Sequence, residues 1–161
     1  FRSYGLSNNL DIDVNEAKRF IDVYLNTFPG AKDYMNRMIT EAKETGFVKT
    51  LYGRIRTIEE LSSNNYMVRQ MGERMALNTP IQGTSADIIK VAMIRINQAL
   101  SKHNLKSKMI IQVHDELIFD VIKTEEQQVI KLVKEIMESV IKLSVPLEVS
   151  IDSGNDWYAL K

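Results

Sequence analysis

Apolar residues recur at helical spacing near the start of the chain. One stripe predicts a helix over residues 13–28, which we expect Pro29 and Gly30 to end. A second stripe, beginning near residue 34, predicts another helix that stops at Gly46. The two segments are therefore predicted to form a helical hairpin.

The pattern changes in the middle of the chain. Residues 47–58 are rich in β-branched and aromatic side chains, which predicts a short strand or hairpin. Helices are predicted over about residues 66–78 and 85–100. Pro80 and Gly83 lie between them, so we expect a break in the helix there.

The last third of the chain has the pattern of strands. Two apolar runs, 109–113 and 117–121, flank the residues 114–116, which predicts a β-hairpin with a polar turn. A helix is predicted over 124–143, and alternation over 147–152 predicts a final strand. This order indicates an α+β fold, in which helices pack on one face of an antiparallel sheet.

Composition narrows the class of protein. The 161 residues are 44% hydrophobic, enough for a sizeable core or two closely packed subdomains. No cysteine is present, which excludes disulfides and thiolate metal sites and fits a cytoplasmic location. The apolar runs are too short to span a bilayer, so we expect no membrane association.

The balance of charge argues against a protein that binds nucleic acid by bulk electrostatics. The chain has 21 basic and 21 acidic residues. The best local basic patch is KTLYGRIR, with Lys49, Arg54 and Arg56. Taken alone, this patch is typical of a solvated edge strand.

The turn sequence His114-Asp115-Glu116 is the first candidate for chemistry. Adjacent carboxylates repel each other and are costly to desolvate, so the fold must expose them or provide a cation. At a hairpin tip they could bind a divalent cation, and magnesium suits carboxylate oxygens. The alternative is an exposed polar turn with no function.

The segment ERMALNTPIQGTSAD, residues 73–87, is the second candidate. Arg74 and Asn78 lie four residues apart on one predicted helix face, and Gln82 follows. Such donors could contact the minor-groove acceptors that all base pairs share, without reading sequence. The alternative is an ordinary polar helix end.

Further motifs accompany these two clusters. YGLS at 4–7, FPG at 28–30, GFVKTLYGRIR at 46–56 and the final GNDWYALK stand together with QVHDE and residues 73–87. In this order they resemble family A DNA polymerases of the bacterial DNA polymerase I type. The resemblance implies a partial, mostly helical fingers subdomain over residues 1–66 and a palm subdomain over 67–161, with the turn at the active-site edge of an antiparallel palm sheet.

The resemblance also implies roles at the turn. Asp115 would bind catalytic Mg2+ together with an aspartate from another motif, and Glu116 would assist it. His114 would face the primer terminus. The implied reaction adds deoxynucleotides from deoxynucleoside triphosphates to a primer 3′ end by two-metal phosphoryl transfer.

Other positions would contact primer-template DNA. Arg74, Asn78 and Gln82 match residues that contact template and primer near the terminus. Arg54 matches a basic position near the template backbone, and Tyr4 matches a tyrosine at the nascent base pair. No oligomer is expected.

The sequence departs from the family pattern at several places. Phe1–Ser3 does not match the usual apolar residues before Tyr4, Ile55 replaces an arginine, and Glu59 stands where proline is common. The chain also contains no DYSQIELR-like segment with the other metal-binding aspartate, and no RxxxKxxxF helix for the triphosphate. We therefore expect these residues to be inactive alone.

Other functions remain to be compared. A metal-dependent HD phosphohydrolase would need more histidines than His103 and His114. Single-subunit RNA polymerases usually have serine where Glu116 follows the His-Asp pair. A nonenzymatic DNA-binding or structural remnant of a polymerase palm remains the alternative.

Overall fold

A computed structural model describes residues 3–160 of the chain, so Phe1, Arg2 and Lys161 lie outside the described residues. The chain divides after Ile81 into two compact units. Within the described range, no helix combines the length and the apolar character needed to cross a membrane.

The first unit begins with three helices. They are α1 (Ser3–Leu10), α2 (Val14–Thr27) and α3 (Pro29–Thr45). The carboxylate of Asp13 accepts a hydrogen bond from Asn15 N at 2.7 Å and so caps α2. Pro29 follows the end of α2, as predicted, but also begins α3, because a proline at the first helical position leaves no additional donor unpaired.

A short hairpin follows α3. Gly46 ends the helix in the left-handed conformation, with φ of 77°, which confirms the predicted stop. Strands β1 (Phe47–Lys49) and β2 (Ile55–Thr57) pair antiparallel, and Gly53 in the connecting turn also has a positive φ. The core of this unit joins α3, the hairpin, the following 3₁₀ helix and α4 through the buried residues Ala42, Val48, Ile58, Leu61 and Ala76.

Helix α4 (Tyr66–Lys102) passes through Pro80 and Gly83 without interruption. The predicted break between two helices is therefore wrong. Proline inside a helix costs about 3 kcal/mol. Side chains on both sides of the proline are buried, Ala76 before it and Ile89 after it, and such packing can offset the local cost.

The second unit contains the rest of α4 and a second hairpin. Strands β3 (Lys108–Val113) and β4 (Glu116–Asp120) pair antiparallel, with a bulge between Met109 and Ile111. They are followed by α5 (Glu126–Ser139). The core consists of residues from the two helices and the segment after α5, namely Ala92, Ile96, Leu100, Val129, Val133 and Val140.

The helices cover one face of this hairpin. Leu117 and Phe119, which alternate along β4, pack against the core with α4 and α5. On β3, Ile110 and Ile111 are 60% and 46% exposed. The predicted α+β class is confirmed as a mostly helical fold with small antiparallel sheets of two strands.

Two predictions in the last third need correction. Helix α5 begins at Glu126 and ends at Ser139, so the predicted start at Thr124 lies in the preceding 3₁₀ turn and the predicted end at Leu143 lies beyond the helix. Residues 147–152 form no strand, because no described strand pairs with them. Leu147 nevertheless packs against the core.

Candidate functional site

The turn between β3 and β4 consists of His114 and Asp115. Val113 and Glu116 form the last cross-strand pair, so Glu116 is the first residue of β4 rather than part of the turn. His114 has a φ of 53°, in the left-handed region that few residues other than glycine adopt. The backbone of the turn is therefore held in an uncommon conformation.

The fold exposes both carboxylates of the turn sequence. Asp115 and Glu116 are exposed to solvent, as is His114. Among the described residues neither carboxylate takes part in an ion pair. Water, rather than a cationic side chain of the protein, therefore solvates these two adjacent carboxylates and screens their repulsion.

A glutamine side chain contacts the turn from the strand before it. The Nε2 atom of Gln112 donates a hydrogen bond to the carbonyl oxygen of His114 at 2.9 Å. Gln112 precedes the turn by two residues, so its side chain extends past Val113 to reach the turn. Sequence reasoning assigned no role to Gln112, although it is the first residue of the QVHDE motif.

Helix α4 and the turn line one open cleft of about 300 Å³. The cleft is lined by Gln82, Ser85, Ala86 and Ile89 of α4, and by Gln112, His114 and Asp115 of the hairpin. Three of the predicted site residues, from two separate motifs, thus meet in the second unit. Ser85 was missed because a small polar residue on a helix carries no signal of its own. Glu116 is not among the lining residues.

The cleft offers a carboxylate, an imidazole and side-chain amides. Carboxylate oxygens of Asp115 and Glu116 are ligands that magnesium accepts, and this ion often takes only one or two protein carboxylates besides waters and phosphates. Over residues 3–160 no group of three or more acidic or histidine side chains could hold a metal ion. The exposed carboxylates of the turn sequence could supply one or two ligands of a magnesium ion.

The base of the hairpin is fixed by Glu125. Its carboxylate accepts hydrogen bonds from Lys106 N at 3.0 Å, from Ser107 N at 2.9 Å and from Ser107 Oγ at 2.6 Å. Ser107 Oγ in turn accepts one from Ile122 N at 3.0 Å. The Ser107 hydroxyl and then the two backbone N–H groups lower the pKa of Glu125, because each favours the charged carboxylate.

Other predicted residues belong to the first unit. Arg74 and Asn78 are exposed on α4, and their spacing of four places them on one side of the helix. Arg56, on β2, donates a hydrogen bond through Nη1 to Thr79 Oγ1 at 3.3 Å and so joins the first hairpin to α4. This contact lies next to Asn78 and was not foreseen.

Arg54 and Tyr4 are also exposed in the first unit. Arg54 lies between β1 and β2, where its carbonyl oxygen accepts a hydrogen bond from Thr50 N at 3.0 Å. The N–H of Arg54 donates to Thr50 Oγ1 at 3.2 Å, which fixes the backbone of this turn. Tyr4 lies on α1 and is 67% exposed.

Comparison with known proteins gives matches over almost the whole chain. The family model of DNA polymerase family A matches residues 1–159. DNA polymerase I of Bacillus subtilis is 51% identical over 158 residues, and that of Streptococcus pneumoniae is 46% identical over 158 residues. Each alignment covers 98% of this chain but 18% of the relative, so the chain spans about a fifth of the length of these curated relatives.

A solved structure matches as well. The POL domain of Pol1 from M. smegmatis, in complex with DNA primer-template and dNTP, is 45% identical, with a TM-score of 0.89. The match covers 92% of this chain and 26% of that one. The fold therefore occurs as part of a larger polymerase domain.

Proposed function

This chain belongs to DNA polymerase family A, and on that premise we propose that its second hairpin and α4 serve template-directed DNA synthesis. It corresponds to part of the polymerase domain of DNA polymerase I. The observation that carries the proposal is the cleft in which Gln82 of α4 meets His114 and Asp115 of the turn. Primer-template DNA and deoxynucleoside triphosphates are the proposed partners.

The reaction joins a deoxynucleotide to the 3′ end of a primer. The 3′ hydroxyl oxygen bonds to the α-phosphorus of the incoming triphosphate, pyrophosphate leaves, and the hydroxyl proton passes to solvent. Asp115 would hold Mg2+, with Glu116 beside it as the auxiliary carboxylate. Magnesium, when bound, would favour the deprotonated hydroxyl and stabilise the charge on the leaving pyrophosphate.

The remaining residues of the cleft would position the primer end. The amide of Gln82 can donate to the minor-groove acceptors of a terminal base pair, which are common to all base pairs. The imidazole of His114 lines the same cleft and would face the primer terminus. Because these contacts do not distinguish bases, they would suit an enzyme that copies any template.

The first unit would contribute contacts outside the cleft. Arg54 and Arg74 are exposed cations suited to backbone phosphates, and Asn78 can donate to template or primer. Tyr4, exposed on α1, would lie at the nascent base pair. The fingers would comprise residues 1–66 and the palm 67–161, whereas the boundary between compact units lies inside α4 at Ile81.

The 161 residues alone should not add nucleotides. Two-metal phosphoryl transfer needs further carboxylates, and the sequence has no DYSQIELR-like segment to supply one. It also lacks an RxxxKxxxF helix for the triphosphate. Activity is expected of a polymerase that contains this chain together with those segments.

The test is Asp115→Ala in such a complete polymerase. We expect nucleotide addition to fall below detection, because the metal loses its ligand from the turn, while primer-template affinity measured by fluorescence anisotropy changes little. Asp120→Ala, at the other end of β4, is the matched control and should retain activity. Incorporation by Asp115→Ala at a comparable rate would refute the assignment of the metal ligand. DNA binding without incorporation by the unmodified polymerase would favour the nonenzymatic alternative.

A further inference from the structure

The hydrogen bond from Gln112 acts on one particular peptide group. The carbonyl oxygen of His114 belongs to the peptide that joins His114 to Asp115, the two residues of the turn. Because a peptide group is planar, a partner fixed on its oxygen limits rotation about ψ of His114 and φ of Asp115. The side chain of Gln112 therefore restrains the direction from which the Asp115 side chain leaves the backbone.

This peptide is one that needs a restraint. His114 has a φ of 53°, in a region that is uncommon for residues other than glycine. The turn is exposed, so the surrounding core does not hold its backbone in place. Without an additional contact, other turn conformations would become accessible and would move the Asp115 carboxylate relative to the cleft.

We propose that Gln112 is a positioning residue that keeps His114 in its left-handed conformation and so holds the Asp115 carboxylate in the cleft. Gln112, His114 and Asp115 line this cleft together. The effect on the turn follows from the hydrogen bond alone. The effect on catalysis rests on the proposed function, and the two are measured separately.

The first measurement concerns the turn in the 161-residue chain. The three-bond HN–Hα coupling of His114, measured by NMR, reports its φ directly. In Gln112→Leu, which keeps a side chain but removes the donor, we expect this coupling to change and the His114 and Asp115 amide signals to broaden. Gln112→Lys, which restores a donor, should recover part of the change. Gln128→Leu, at an exposed position of α5, is the matched control and should leave the turn unchanged.

The second measurement concerns magnesium in a complete polymerase that contains this chain. One exposed hydrogen bond contributes modestly, so Gln112→Leu should raise the Mg2+ concentration for half-maximal rate by about fivefold. The maximal rate should fall, while primer-template affinity should stay within about twofold of that of the unmodified enzyme. A change this small is less than the loss of one hydrogen bond to DNA would cause.

Two results would overturn the proposal. One is an unchanged His114 coupling in Gln112→Leu, which would show that the side chain does not hold the turn. The other is a loss confined to primer-template affinity with an unchanged response to Mg2+, which would show that Gln112 contacts DNA instead. If the complete polymerase proved inactive, the proposed function would fail, but the NMR result would still decide the role of Gln112 at the turn.

Discussion

Asp115 at the tip of the second hairpin and Glu125 in the turn that follows it are carboxylates in different environments, and hydrogen bonding distinguishes them. Asp115 at the tip is exposed and has no ion-pair partner among the described residues. Glu125 at the base accepts hydrogen bonds from two backbone N–H groups and a hydroxyl. A carboxylate that is already bound in this way can support the fold, whereas one without such partners remains available to a cation.

The base of the hairpin leads to a prediction about pH. The pKa of Glu125 is lowered in the folded chain, so its stabilisation is present above the ordinary carboxyl pKa and is lost as pH falls through the lowered value. Glu125→Gln should therefore unfold at lower urea concentration than the unmodified chain near pH 7. The difference should shrink well below the ordinary glutamate pKa of about 4.3. Urea titrations across this range measure it.

Glu148→Gln is the control for this experiment, since Glu148 is an exposed glutamate in the irregular segment after α5. It should show no comparable difference at any pH. A difference for Glu125→Gln that persists unchanged into acid would mean that the charge of the carboxylate does not matter at this position.

Gln82 gives a second prediction at the level of a single residue. It lies in the cleft with His114 and Asp115, where its amide would reach the primer terminus. In a complete polymerase, Gln82→Ala should weaken primer-terminus binding by roughly fivefold, the loss of about one hydrogen bond. Affinity measured with primers of one length and different terminal pairs should fall equally for all of them. Unchanged affinity and extension rate would remove Gln82 from the DNA contacts.

Among the helices and strands, the sequence correctly predicted the features that depend on local interactions. The stop of α3 at Gly46 and the second hairpin follow from left-handed glycine and from paired apolar runs, and both are confirmed. The helix break predicted at Pro80 was wrong because the free-energy cost of proline is a local property. The packing of α4 involves residues distant in sequence, which a local pattern does not show. The strand predicted over 147–152 needs a neighbouring strand, which a pattern of alternation cannot supply.

The sequence likewise indicated some residues of the candidate site and not others. The resemblance indicated Gln82, His114 and Asp115, and the structure places all three in one cleft. Gln112 and Ser85 could not be assigned a role from sequence, because their importance depends on side-chain direction and on which elements pack together. The uncommon backbone conformation of His114 also leaves no trace in the sequence.

Packing between α4 and the preceding 3₁₀ helix (Glu59–Ser62) gives a prediction for one glycine. A Cβ atom at Gly72 would lie 2.9 Å from the backbone nitrogen of Leu61, so the two elements must move apart to accept it. Gly72→Ala should lower the free energy of unfolding by about 1–3 kcal/mol. Urea unfolding followed by circular dichroism measures this change.

Gly30 is the matched control for this substitution. It also lies in a helix, α3, and a Cβ atom there would meet no other atom within 4 Å. Gly30→Ala should leave stability unchanged or raise it by up to about 1 kcal/mol, because alanine is the better helix former. Equal effects of the two substitutions would contradict the close approach at Gly72.

The charge of the whole molecule bears on how it would bind DNA. With 21 basic and 21 acidic residues, the chain has no net charge to attract a polyanion over long distances. Binding would then depend on a few placed cations, and Arg54 and Arg74 are the exposed candidates. Each phosphate contact that releases a counterion steepens the dependence of affinity on salt.

We therefore predict that the affinity of this chain for primer-template DNA depends only weakly on salt concentration. With about two phosphate contacts, the slope of log K against log salt concentration should be about −2. Arg54→Ala should reduce its magnitude by about one, whereas the control Arg19→Ala, at an exposed position of α2, should leave it unchanged. Anisotropy titrations between about 50 and 200 mM salt measure the slope. A much steeper slope that Arg54→Ala does not change would mean that other cationic side chains contact the DNA. The slope reflects the number of counterions released, and each phosphate contact adds to that number.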